Sequence, residues 1–282
     1  MKTLIDRLVL VTNGYQETRP CLEYGTWLAI KLKIPVVVLA VREPDYQDHP
    51  VSAIVDDLIP DLQAAGIPFQ LEVQDGNAED LVARFEQQPG TIVVLGPLGR
   101  TPLRRFFLGR SIRHFMEDQL APILYVSQSR LPIRKILVCM GGLGYAMDVF
   151  HEALAIASPL QASLSFLHVV EPVTLDYPLA QEVEAHWKDL VNTDTPQGRI
   201  LRQALSETSD LGIAPEVKLR HGHIVPEILK EIETGDYDLV CMGSIFSSHS
   251  LRHLSLPNVT AEIAETVHSP ILVVRTMAQE LP

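Results

Sequence analysis

Short apolar runs rich in Val, Ile and Leu alternate along the chain with polar-patterned segments of helical length. Runs such as "LVLV" in 8–11, "VVVLAV" in 36–41 and "IVVL" in 92–95 hold no polar residue. Strands of that kind are buried on both faces, as in a parallel sheet covered by helices, whereas a half-exposed strand alternates. Between the runs the period changes. Over 17–32, Cys21, Tyr24, Leu28 and Leu32 fall on one stripe, while Glu17, Glu23 and Lys31 lie largely off it, which predicts an amphipathic helix. Helices are predicted over 78–86 and 111–120, and again over 146–157, 225–234 and 259–267.

The pattern is written twice. "RLVLVTNG" (7–14) matches "KILVCMGG" (135–142), and "VVVLAVREP" (36–44) matches "LSFLHVVEP" (164–172), both at a shift of 128. "GIPFQLEVQDG" (66–76) matches "GIAPEVKLRHG" (212–222) at 146, so the second copy carries 18 extra residues before this point. "TIVVLG" (91–96) and "APILYV" (121–126) return as "DLVCMG" (238–243) and "SPILVV" (269–274). The extra residues fall around "AQEVEAHWKDLVNT" and "RILRQALSET" and are expected over the upper edge of the second sheet. The fold class is therefore α/β, with two tandem doubly wound domains, 1–130 and 131–282. Each is expected to have a five-stranded parallel sheet and helices on both faces. The connection "SQSRLPIR" is short, which leaves a monomer with an intramolecular pseudo-dimer and a homodimer equally open.

Composition narrows the function. Hydrophobic residues make up 46% and charged residues 21% of the 282, enough for a full core. No apolar run approaches the roughly 20 residues that cross a bilayer, so no membrane partner is expected. Three cysteines make no disulfide framework, and "MKTLIDRLVLV" reads as a first strand, which together suggest the cytoplasm. A net charge of −12 argues against nucleic acid. Residues 1–130 carry 13 basic against 16 acidic side chains, and residues 131–282 carry 10 against 19. An anion would prefer the first half. Within it, residues 96–113 hold five arginines and no acid.

Those arginines follow a strand in "LGPLGRTPLRRFFLGRS" (95–111). Glycine lets backbone amides approach a phosphate closely, a following helix N-terminus adds positive potential, and guanidinium groups bind phosphate in pairs. Gly96, Gly99 and Gly109, with Arg100 and Arg110 beside them, have the residue types for this. A loop with a solvated basic face would look similar. Neither the Walker pattern nor the GxGxxG dinucleotide fingerprint is present.

The pattern Gly-x-x-Gly, nine residues, then Gly, ahead of a helix and the "APILYV" strand, resembles the universal stress protein family over almost the whole chain. The first-strand turn "TNG" and the second-strand end "AV" before "REP" belong to the same resemblance. It implies an adenine nucleotide, ATP or AMP with Mg as an optional companion, held by the first domain. Gly96, Gly99 and Gly109 match the phosphate-loop glycines, with Arg100 in the same loop. Arg110 stands where the family has Ser or Thr, and Ser111 comes one place late. Val41 matches the residue whose backbone faces adenine, Thr12 opens the first turn, and Asn13 takes the place of an aspartate, keeping a carbonyl acceptor without the charge. In the second copy Phe246 replaces the second glycine, Pro257 and Asn258 stand where Gly-Ser would be, and Gly141 replaces the aspartate. That site is expected to be altered or filled by its own side chains.

Other constellations are weaker. His168, His221 and His249 would share an opening in the second copy only if the fold brings those strand ends and loops together, and no Cys or carboxylate completes a metal set at familiar spacing. Cys139 and Cys241 read as small buried hydrophobes rather than a redox pair, and Cys21 as core. "GGLG" (141–144) lacks the Ser and Asp of pyrophosphatase-type loops. No nucleophile and base can be assigned. The reading is a stress-response regulator, not a catalyst, that binds an adenine nucleotide in domain 1 and works through an unknown protein partner. A nucleotide-free scaffold and a slow ATPase are the alternatives.

Overall fold

The computed structural model describes residues 5–43, 50–85, 88–99, 121–141, 146–172, 186–246 and 259–277. The chain forms two compact units, Met1–Leu131 with His268–Val273, and Pro132–Val267 with Val274–Pro282.

In the first unit the strands are β1 (Arg7–Thr12), β2 (Val36–Arg42), β3 (Phe69–Asp75), β4 (Thr91–Leu95) and β5 (Ile123–Tyr125), in the order β3-β2-β1-β4-β5. All four pairings among them are parallel. The segment Ile271–Val273 runs antiparallel to β5 and extends this sheet beyond the five strands that the apolar pattern predicts. β1 pairs with both β2 and β4, so the strand order reverses beside it.

Alternation along β1 explains the two helical layers. Val9 and Val11 share a buried cluster with Ala78, Val82 and Phe85. Leu10 and Val94 meet the helix Arg19–Leu32 on the opposite side, where Gly25 lets it sit close: a Cβ there would collide with Leu10 Cδ2. That helix has Pro20 in its first turn, where no N–H partner is lost, and ends at Lys33 in the left-handed conformation. Two short helices, Ser52–Val55 and Ile59–Ala64, lie between β2 and β3 and are not apparent from periodicity, being too short to complete a stripe. The helix predicted over 111–120 lies outside the described residues.

The second unit repeats the plan with β6 (Lys135–Cys139), β7 (Ser163–Val170), β8 (Glu216–His221) and β9 (Leu239–Phe246), in the order β9-β6-β7-β8, and the strand β10 (Ile271–Met277) belongs to it from Val274 onward. Helix Ala146–Leu160 packs on β6 and β9, and its Phe150 meets Phe166 of β7 edge to face at 5.6 Å. The additional residues of this copy include a 15-residue helix, Pro196–Asp210, where the first unit has its two short pieces. Thr195 starts that helix by accepting from the Gly198 N–H at 3.1 Å.

One difference bears on the site. β4 stops at Leu95, before Gly96, whereas β9 runs on through Gly243 and Ser244 to Phe246. At the position of the second glycine, the second copy is still extended strand.

Candidate functional site

In a parallel sheet the crevice for a ligand opens at the carboxyl ends of the strands where their order reverses. In the first unit this is the end of β1 with β2 and β4 beside it. Three short segments meet there: 12–15, 41–43 and 96–99.

The first is held by hydroxyl groups. Thr18 Oγ1 donates to the Tyr15 carbonyl at 2.7 Å and lies 2.7 Å from Thr12 Oγ1. A hydroxyl has one proton, and a carbonyl only accepts, so Thr12 must be the donor to Thr18. Thr12 Oγ1 also accepts from the Gly14 N–H at 3.1 Å. Gly14, at φ 86°, turns the chain with its left-handed freedom. The Thr12 hydroxyl is thus engaged in shaping the turn.

Asn13 joins all three segments. Its Nδ2 donates to the Leu98 carbonyl at 2.9 Å and to Glu43 Oε2 at 3.3 Å. Asn13 and Glu43 are each only 1% exposed. Asn13 Oδ1 is buried too, and among the described residues it has no hydrogen-bond partner. Leaving such an acceptor unsatisfied costs about 1–3 kcal/mol, and in native proteins the gap is commonly closed by water or a ligand.

Val41 is fully buried near the end of β2, and Arg42 pairs with Asp75 at 2.9 Å. On β4's side, Gly96 is confined by its neighbours, since a Cβ would stand 2.7 Å from Val126 O and 3.2 Å from Cys21 Cβ. Gly99, at φ 63°, packs against the first turn, where a Cβ would lie 2.7 Å from Tyr15 Cβ and 2.6 Å from Glu17 Oε2. So Thr12, Asn13, Val41, Gly96 and Gly99 all lie at one end of the sheet. Arg100, Gly109, Arg110 and Ser111 lie outside the described residues.

Sequence reasoning missed Glu43 and Glu17 at this corner. Glu43 had a signal, an acidic residue directly after an apolar strand, in a position that the strand order makes central.

The equivalent corner of the second unit is built differently. Gly141, at the place of Asn13, has no side chain to reach across. Instead His168 of β7 donates from Nδ1 to the Met140 carbonyl at 2.6 Å, so its proton sits on Nδ1. Burial lowers the pKa of His168, partly offset by this bond, and favours the neutral ring. His221 stacks on Trp187 with ring centres 5.7 Å apart, while His249 lies outside the described residues. Among the described residues no group of three His, Cys, Asp or Glu could hold a metal ion. Cys21, Cys139 and Cys241 are buried free thiols, and burial pushes Cys139 up to about 12 and the other two upward as well. Burial thus favours the protonated thiol of all three at neutral pH. Cys241 lies inside β9 and not at its end, with Val138 of β6 as its register partner.

Two units with the same order of parallel strands, one with a polar crevice at the switch point, define a duplicated, doubly wound α/β class. The universal stress protein family model matches residues 132–275, just over half of the 282-residue chain, and the chain belongs to that family. The match falls on the second unit together with the segment His268–Val273. A universal stress protein from Archaeoglobus fulgidus DSM 4304 is similar over 95% of this chain and 96% of its own, with 16% identity and a TM-score of 0.65. A functionally unknown protein from Pseudomonas aeruginosa PAO1 is similar over 96% of this chain and 92% of its own, with 15% identity and a TM-score of 0.62. At such identities the likeness is one of fold. An Arabidopsis thaliana protein of the family with AMP bound covers 53% of this chain and 95% of its own, at 17% identity and a TM-score of 0.34. A comparison with curated proteins gives no match.

Proposed function

We propose that the first unit binds an adenine nucleotide and that its occupancy regulates a protein partner in the stress response, with no catalytic turnover. The observation that carries this is Asn13 Oδ1, a buried acceptor at the switch point with no partner among the described residues. A nucleotide offers hydroxyl and amino donors to such an atom, and Gly96 and Gly99 stand on the next strand's exit. Where the nucleotide fits, Thr12 and Val41 would contribute backbone, Asn13 its carbonyl, and Arg100, Arg110 and Ser111 would meet phosphate together with Gly109. AMP and ATP share the parts this crevice addresses, and Mg would accompany only the longer phosphate chain. The same reading sets this regulator in the cytoplasm. Among the described residues no helix is long and apolar enough to cross a membrane.

Isothermal titration of the full chain with AMP, and separately with ATP and Mg, tests the reading. Saturable binding is expected for the wild type, with loss of at least tenfold in affinity for Asn13→Leu and little change for His168→Gln. Absence of binding by the wild type, or loss only in the His168 variant, would reject it.

A second reading has its own support. The Glu17 carboxylate lies against Gly99, which opposes an anion there, and Asn13 lacks the charge of an aspartate. Both suit a scaffold that binds a protein partner without nucleotide. Mass spectrometry of small molecules released from the purified protein separates the two, because the scaffold would release none.

A further inference from the structure

Asn13 faces two groups that can only accept. The Leu98 carbonyl is 2.9 Å and Glu43 Oε2 3.3 Å from its Nδ2. Turning the amide over would set its oxygen against both, so its orientation is fixed by chemistry. A carboxylate at position 13 would be worse, for it would bring two buried negative charges together. Glu43 adjoins the Arg42–Asp75 ion pair, and Glu17 lies across the crevice at Gly99.

We propose that Glu43 is a positioning residue of this site. Its carboxylate holds the Asn13 amide so that Oδ1 faces the ligand as acceptor, and it is the reason position 13 is an amide here. Leu98, as the second acceptor, ties the same amide to the exit of β4, so the three strand ends are set by one side chain. The ligand half of the proposal rests on the nucleotide reading above, while the amide lock does not.

The test is a cycle of four full-length proteins: wild type, Asn13→Asp, Glu43→Gln and the double variant. Unfolding midpoints are measured at pH 5 and pH 8, and AMP is titrated into each. If Glu43 governs position 13, Asn13→Asp lowers the midpoint by several degrees at pH 8 and by much less at pH 5, where the carboxyl pair shares a proton. In the Glu43→Gln background the same change costs less and loses its pH dependence, because the carboxamide now at position 43 can donate to the new carboxylate. A residue that merely packs would show no such rescue. Equal cost of Asn13→Asp in both backgrounds at both pH values overturns the lock. For the ligand half, Glu43→Gln is expected to weaken AMP severalfold, because the Leu98 carbonyl then holds the amide orientation alone. Unchanged AMP affinity in Glu43→Gln overturns that half. A wild type that binds no AMP removes the nucleotide reading and the ligand half with it, and the midpoint cycle then decides the lock alone.

Discussion

The carbonyl oxygen of Val126 lies 2.7 Å from where a Cβ on Gly96 would be, with Cys21 Cβ at 3.2 Å. Gly96 is therefore a packing glycine, wedged between the end of β5 and helix Arg19–Leu32, whatever it offers a ligand. Gly96→Ala would force the backbone of Val126 to move and should cost about 1–3 kcal/mol of stability by overpacking. Urea unfolding of the variant without any nucleotide checks this. An unchanged midpoint would contradict the contact, and a loss of binding in this variant would say nothing about phosphate.

Thr18 is the hub of the first turn, donating to Tyr15 O and accepting from Thr12. Thr18→Val keeps the shape but takes from the buried Thr12 hydroxyl its acceptor and from the Tyr15 carbonyl this donor. A destabilisation of about 1–3 kcal/mol is expected by chemical denaturation. Thr18→Ser, which keeps the hydroxyl, should recover most of it.

In the second unit Glu231, 5% exposed, accepts from Tyr237 Oη at 2.7 Å and from Arg220 Nη2 at 2.6 Å. Arg220 also reaches Glu227 at 3.2 Å, tying β8 to helix Ile224–Gly235. Arg220→Met would leave a buried carboxylate uncompensated, which costs about 3–5 kcal/mol. The double variant with Glu231→Met should recover part of that loss in thermal melts, since the uncompensated charge is then gone.

Glu152 makes stability depend on pH. Burial raises its carboxyl to about 7, with Asp148 adding to the effect and His151 opposing it. Among the described residues its Oε2 has no hydrogen-bond partner. Unfolded, the same carboxyl titrates near about 4.3. Between these values the folded chain keeps a proton that the unfolded chain has released, so this contribution is full at low pH and is lost as pH rises toward 7. The loss has a ceiling of roughly 4 kcal/mol and levels off above 7. Glu152→Gln should flatten the slope of the unfolding midpoint between pH 5 and 7 and raise stability at pH 8. An unaltered slope would show that other groups set it.

Much of the architecture was legible because burial on two faces leaves its mark residue by residue. "LVLV" in 8–11 became β1, the stripe through Cys21, Tyr24 and Leu28 became the buried side of helix Arg19–Leu32, and the repeat became two units with one strand order. The short helices at 52–55 and 59–64 were not legible, as neither completes enough turns to show a period. The reach of β9 to Phe246 was not legible either, because the matched block "DLVCMG" ends at Gly243 and the strand continues three residues beyond it.

By itself, then, the sequence determined the fold class, the duplication and which strand ends carry glycine, because those depend on local spacing and on the total of apolar burial. It placed Thr12, Asn13, Val41, Gly96 and Gly99 in one motif but could not say what Asn13 does. That was decided by tertiary structure, since Glu43 and Leu98 lie 30 and 85 residues away along the chain and meet Asn13 only when β2, β1 and β4 stand side by side. A hydrogen bond has direction, and two acceptors converging on one amide fix that direction in a way no linear pattern records.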